Sequence, residues 1–272
     1  MARLLSGLLV ASAAFSTLCE AAGQPPALQP LSSWNLDYGE TQCLASRKYD
    51  DPANPVTLAI RQSPNGETYE LLVGRKRRAT EPVLEEEGIV DFGRGPINAW
   101  VLFYQTPDKA MDVHLFRISA ADMAQARSAT SVTMHIADAS DVGFQLALMP
   151  QLLDGLQTCT ADLKRYWNMD GEKDGTLSKG ARGDLRNIFS SDDYPREAMK
   201  RLQQGQGQYL LLVDESGKVA GCQVLLATGV PILDAQACSV IERRARFAPA
   251  LDKSGDPVRS TVITPPIRWR FG

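Results

Sequence analysis

Residues 194–271 read YPREAMKRLQQGQGQYLLLVDESGKVAGCQVLLATGVPILDAQACSVIERRARFAPALDKSGDPVRSTVITPPIRWRF, and this stretch decides the fold. Tyr194 precedes Pro195, which suits a helix's first position, and Glu197, Ala198, Met199 and Leu202 continue a short helix that Gly205 and Gly207 end. Residues 209–213 are apolar throughout, the composition of a short strand covered on both faces. Asp214 and Gly217 make the following turn, since Asp bonds its own backbone and Gly supplies positive φ. Residues 218–226 then return as the second arm of a hairpin, with Ala220, Cys222, Val224 and Leu226 on one face. Pro231 opens a helix with Asp234 in its first turn and Arg243, Arg244 and Arg246 towards its end, the order that the helix dipole favours. Its apolar stripe is Leu233, Ala237, Val240, Ile241 and Ala245, and Cys238 lies beside it. Packed on the hairpin, this helix would bring Cys238 over the face carrying Cys222, close enough for a disulfide if the Cα atoms fall within about 7 Å.

A last strand follows Gly255. It runs over residues 258–263 and on through Ile267, Trp269 and Phe271, which alternate with Arg268 and Arg270. Pro265 and Pro266 interrupt it and cannot donate to a ladder, which marks an edge strand or a bulge. The pieces YP-x-EA at 194–198, VDESGKV at 213–219, TGVPILDAQA at 228–237, RRARFAPA at 243–250, GDPVR at 255–259 and the closing PIRWRF at 266–271 resemble, in this order and spacing, the C-terminal domain of TonB-type energy transducers. The resemblance covers about the last 80 residues. It implies a small α/β unit whose exposed strand edge pairs with a short peptide, the TonB box, of an outer-membrane receptor, by addition of a strand to a sheet. Placed on this sequence, the edge is carried by Val258, Ser260, Val262, Ile263, Ile267, Trp269 and Phe271. Two departures stand out: Gly207 where the family usually has an aliphatic residue, and the doubled Pro265 and Pro266.

Residues 1–23 read as a secretory signal peptide: Arg3, an apolar stretch from Leu4 to Leu18, then Ala21, Ala22 and Gly23. The apolar run is about fifteen residues, short of the roughly 20 that a membrane span needs. The expectation is an exported, periplasmic protein with no integral membrane span after cleavage. Cys19 lacks the residues that usually precede a lipid-modified cysteine. Transducers of this family that work with ExbB and ExbD have a histidine-bearing anchor helix and a long Pro-rich spacer. The two histidines here are His114 and His135, and no Glu-Pro or Lys-Pro repeat occurs, so coupling to a proton gradient by this chain alone is not expected.

The chain has 272 residues, a net charge of −3 at pH 7 and 44% hydrophobic content, a globular composition without a basic patch that would suit nucleic acid. Beyond the signal peptide four cysteines remain, and an even count in an exported protein reads as two disulfides. Of three connectivities, helix packing favours Cys222 with Cys238, leaving Cys43 with Cys159. Residues 30–167 read as a separate domain with strands at 56–60, 68–73, 99–104, 111–118 and 132–136 and a short helix capped by Ser119. A closing helix carries Met149, Leu152, Leu153, Leu156, Cys159, Leu163 and Trp167 on one face. Residues 168–193, polar and rich in Gly, Asp and Lys, read as a linker before the domain of residues 194–272. The fold class is therefore α+β with two domains: a mostly-β first domain closed by a helix and a small TonB-like α/β second domain.

Candidate chemistry is sparse. His114 and His135 sit in alternating strand runs with no further ligand at metal spacing, and Asp170 to Gly175 lacks the alternating carboxylates of a calcium loop. Arg75, Lys76, Arg77 and Arg78 face Glu85, Glu86 and Glu87 across a short segment, and such blocks usually remain solvated. No nucleophile, metalloprotease or phosphate-loop motif occurs, so no enzyme, no metal and no cofactor are expected. The expected role is binding a peptide or protein partner along the terminal edge, in receptor-dependent transport, with a second copy of the chain as another candidate occupant. The alternative is an envelope structural or assembly protein without an energy-transducing role.

Overall fold

Alternation of apolar and polar residues, interrupted by consecutive buried residues within Val56–Gln62, Thr68–Lys76 and Met111–Ser119, gives the first half of the chain a sheet with a well-buried inner face. The computed structural model describes residues 26–76, 84–106, 110–136 and 141–271; the expected signal peptide, with Cys19, lies outside them. Strands β1 (Asn35–Tyr38), β2 (Cys43–Tyr49), β3 (Val56–Gln62), β4 (Thr68–Lys76), β5 (Leu84–Asp91), β6 (Pro96–Gln105) and β7 (Met111–Ser119) precede the short helix α1 (Ala120–Met123), whose first turn is capped by the Ser119 hydroxyl accepting from the Asp122 N–H. Strands β8 (Ser131–Ile136) and β9 (Val142–Gln145) and helix α2 (Met149–Tyr166) complete the half. The nine strands run in the order β1-β2-β3-β4-β7-β6-β5-β8-β9, and each adjacent pair is antiparallel.

The two ends of this sheet are stitched together. Leu28 donates to the Gly143 carbonyl at 2.8 Å and accepts from Gln145 at 3.0 Å, while Leu31 donates to Lys48 and Gln29 accepts from Asp50. Residues 28–31 thus lie between β9 and β2 and close the sheet into a barrel, the arrangement that removes free edges. Inside, Tyr49 from β2 meets Phe144 from β9 edge-on at 4.9 Å, and Leu58, Ile60, Leu71, Phe116 and Met134 fill the space around them. Helix α2 lays Met149, Leu152, Leu153, Leu156, Cys159 and Leu163 against this core, and Cys159 is bonded to Cys43 of β2 with Cα atoms 6.0 Å apart.

The second half is mixed. Helix α3 (Gly171–Asp174), β10 (Leu177–Lys179) and helix α4 (Arg196–Lys200) lead to the hairpin β11 (Gly205–Val213) and β12 (Val219–Leu226), then α5 (Pro231–Arg244), β13 (Ala250–Asp252), β14 (Pro257–Val258), β15 (Ser260–Ile263) and β16 (Ile267–Trp269). Strand β11 is central: β12 pairs with one side, and β15 and β16 pair in succession with the other. Helix α5 packs Leu233, Ala237 and Ile241 on the face formed by Tyr209, Leu211 and Val213, and Cys222 is bonded to Cys238 across that contact. The hairpin carries an extra β12 residue at each end, so Ala220 and Leu226 do not share the buried face of Cys222 and Val224; a one-residue shift reverses side-chain direction.

Glycine at 207 has a local cause. A Cβ there would lie 2.5 Å from the Tyr209 hydroxyl, which donates to Asp234 at 2.7 Å, and Asp234 in turn accepts from the Thr228 N–H. Burial pushes the Asp234 carboxyl above its ordinary range and the Tyr209 hydroxyl, buried beside that carboxylate, upward as well. Gly217 has φ of 78°, and a Cβ would meet the Phe247 carbonyl.

Residues 168–193, expected to link the halves, are paired and packed. Strand β10 pairs with β13, and Leu185, Ile188 and Phe189 pack on the second core. Asp193, 5% exposed, accepts two bonds from Arg244 of α5 at 2.6 and 2.8 Å and two from Ser190. The halves also touch directly: Leu212 is buried with the first core, Gln223 donates to the Thr41 carbonyl, and the Arg259 guanidinium lies 4.1 Å above the Tyr166 ring while pairing with Glu215.

Two outcomes follow from these contacts. Replacing Cys43 and Cys159 together by Ala opens a loop of 116 residues and is expected to lower unfolding free energy by about 2–4 kcal/mol, read by urea denaturation. Bonds from Arg244 hold the Asp193 carboxyl below its ordinary range. A depressed folded value means that its contribution is present above the unfolded pKa of about 4 and is lost as pH falls through the lower folded value. The stability difference between the native chain and Asp193→Asn should therefore shrink between about pH 6 and about pH 3; an unchanged difference would show that the pair contributes nothing.

Candidate partner-binding edge

Hydrogen-bond alternation along β11 determines which groups of the last strands are free. Thr264 donates its N–H to the Tyr209 carbonyl at 2.9 Å, and the Tyr209 N–H donates to the Thr264 hydroxyl at 3.1 Å. Since direction alternates in an antiparallel ladder, Leu211 with Val262 and Val213 with Ser260 are the bonded pairs. The N–H and C=O groups of Thr261 and Ile263 point away from β11, and no strand pairs with them among the described residues. The same alternation bonds Ile267 and Trp269 to Gly207 and Gly205, so in β16 the outward residue is Arg268.

Between the two strands the pairing slips by one residue across Thr264, Pro265 and Pro266. The prolines sit where the edge is broken and no N–H is required, as proline in a sheet demands. The edge therefore has two short outward segments rather than one continuous ribbon. Val258 is in neither, because β14 pairs with β13 and the chain turns at Arg259 before joining β11.

Of the expected edge residues, Ser260 and Val262 turn their peptide groups inward, and Trp269, 6% exposed, packs against Phe189 and Tyr194 at 5.7 and 5.4 Å. Phe271 stacks on Tyr194 at 5.1 Å and remains partly exposed. Beside this edge, on the α5 side of the sheet, lies a groove of about 750 Å³ bounded by Phe189, Tyr194, Phe247, Pro266 and Ile267 with Arg186, Arg268 and Arg270 at its rim. Thr261 and Arg268, the residues that present outward groups, could not be told from Ser260 and Ile267 by sequence, because strand parity depends on where the ladder to β11 begins.

At the start of the edge the first half of the chain intervenes. The Asn168 side-chain amide donates to the outward carbonyl of Arg259 at 2.8 Å, and the Thr261 hydroxyl lies 3.5 Å from the Met169 carbonyl.

Glu70 of β4 is held by Arg61 and Arg117, and Arg117 lies 5.0 Å above Trp100; burial raises the Glu70 carboxyl, but the two cations outweigh it and hold it below its ordinary range. Arg61, Glu70 and Arg117 are cross-strand partners, which a period of two on three strands could have suggested only with their order known. His114 lies against Phe103 at 4.8 Å with its pKa lowered by burial, and His135 pairs with Asp141. Arg75 and Lys76 of β4 and Glu87 of β5 are not on neighbouring strands, since β7 and β6 separate β4 from β5; Arg77 and Arg78 lie outside the described residues. Among the described residues no group of three His, Cys, Asp or Glu side chains could hold a metal ion, and no helix is long and apolar enough to cross a membrane.

No curated protein matches the chain. A family match does cover the paired and packed end just described, starting at Ser190, whose N–H and hydroxyl bond the Asp193 carboxylate that holds Arg244. Residues 190–271 match the family model of the Gram-negative bacterial TonB protein C-terminal, and the last third of the chain is accordingly a TonB-type C-terminal domain.

Proposed function

We propose that this is an exported, periplasmic binding protein whose C-terminal domain takes an extended peptide or protein segment as an added strand along β15 and β16, in receptor-dependent transport at the outer membrane. The observation that carries the reading is the pair of outward peptide units at Thr261 and Ile263, lying inside the segment that matches the TonB family. A buried sheet satisfies its backbone groups, and an edge with unpaired N–H and C=O groups is a template for another chain. The groove beside the edge supplies aromatic and aliphatic contacts for alternate side chains of the visitor. Two disulfides, Cys43 with Cys159 and Cys222 with Cys238, support an oxidising compartment. The chain is organised, on this reading, as a barrel domain over residues 30–167, a packed connection over 168–193 and the binding domain over 194–272. Its role is binding rather than catalysis.

The test is calorimetric titration of the full chain with a capped synthetic peptide carrying an outer-membrane receptor's TonB box. Saturable binding is expected. Thr261→Pro removes an outward N–H that no bond among the described residues uses, and Arg268→Pro makes the same change in β16. Each should weaken binding at least about tenfold, the effect of roughly 1.4 kcal/mol, with the thermal midpoint as the check on folding. A folded native chain that binds none of these peptides would remove receptor coupling.

A further inference from the structure

Backbone pairing alone is too weak to select a partner. Thr261 and Ile263 can make four hydrogen bonds with an added strand, and their net worth is small because each replaces bonds to water. That does not offset what association itself costs. Side chains must therefore supply the difference, and an added strand sends them alternately to the two faces of the sheet.

The face turned away from α5 carries an unfinished aliphatic row. Gln208 pairs with Leu226, and Leu210 with Ile263, so Leu226 on β12, Leu210 on β11 and Ile263 on β15 lie on one face and run across the sheet to its free edge. Leu226 is 53% and Ile263 58% exposed, high values for large aliphatic side chains in paired strands. Cross-strand neighbours on one face are close enough for direct contact, so the residue of an added strand opposite Ile263 extends this row.

The first half of the chain and the corner that follows α2 together wall this position. Glu67 before β4, Lys164 of α2, and Met169, Asp170 and Lys173 at the α2–α3 corner bound a groove of about 490 Å³ over the row. The corner is fixed to the edge by Asn168 on the Arg259 carbonyl and by Met169 beside Thr261. Two lysines and two carboxylates leave the wall without net charge, and Lys173 pairs with Asp170 at 3.5 Å. An uncharged side chain suits it. A groove of this size holds a side chain or two of a single strand, not the folded lobe that a second copy would bring.

We infer that the wall formed by Glu67 and Lys164 of the first half and by the α2–α3 corner is a selectivity element: with the row Leu226, Leu210 and Ile263 it forms a composite groove that accepts an aliphatic side chain of an extended partner segment at the position opposite Ile263. This rests on the strand-edge reading above and gives the barrel domain a part in recognition.

The experiment uses the full chain and the capped TonB-box peptide, with each peptide residue changed in turn to Ala and to Asp. One aliphatic position should stand out, its change to Ala weakening binding about tenfold and its change to Asp more. In Met169→Ala, and independently in Leu226→Ser, the native and Ala peptides should bind within about threefold of each other. The inference is overturned if peptides bind, and Thr261→Pro abolishes it, yet the preference at that position is the same in both variants. It is equally overturned if Asp there binds as well as the aliphatic residue. Binding of no peptide by the folded native chain overturns the strand-edge reading itself, and self-association dissolved by Ile263→Lys would put a second copy on the edge instead.

Discussion

Strand β11 has two sides and three strands that claim them. Its odd-numbered residues from Gly205 to Val213 send their peptide groups to β15 and β16, and its even-numbered ones face β12. Every other feature of the C-terminal domain follows from this allocation. Because α5 covers one face of β11 and the first core meets the other, its composition is uniformly apolar from Tyr209 to Val213. Because β15 and β16 spend half of their groups on β11, the other half faces outward, and the edge exists.

The same allocation explains why the two halves of the molecule meet where they do. One face of the β11 sheet receives α5, and the Tyr209, Asp234 and Thr228 bonds under Gly207 anchor the start of that helix to the strand. The opposite face carries Leu210 and Leu212. Burying an apolar side chain contributes about 1.5–3 kcal/mol, so this face requires cover, and Leu212 finds it in the first core while Leu226 and Ile263 are left at the margin. The stacking of Arg259 on Tyr166 and its pairing with Glu215 occur at the turn where β14 gives way to β15, so the contact between halves lies beside the edge and not remote from it.

Much of the element order was legible. Proline at 195 and 231, the Asp214 to Gly217 turn, the apolar run of β11 and the spacing of Cys222 and Cys238 each have a local physical cause, and each is where local chemistry put it. In the first half, β3, β4, β6, β7, β8 and α2 followed from period two and period 3.6, whereas β1, β2, β5 and β9 did not: Asn35 to Tyr38 is mostly exposed, and β9 has four residues. Barrel closure through residues 28–31 rests on backbone bonds that any side chain permits, so no residue type announces it. The 168–193 segment misleads for a related reason. Its composition is polar, yet Leu177, Leu185, Ile188 and Phe189 suffice to pin it, and the buried Asp193 is compensated by an arginine 51 residues later. The last strands show the limit most clearly, since β15 and β16 were readable but the inward or outward sense of each peptide unit was not.

The slip at Thr264, Pro265 and Pro266 has a consequence for assembly. A long, straight, unprotected border invites copy after copy to zip together into fibrils. Here the border is cut into two short runs that are out of step, with imino acids at the cut and arginine at its far end. Such a border can host a brief, matched visitor yet offers endless stacking no continuous track.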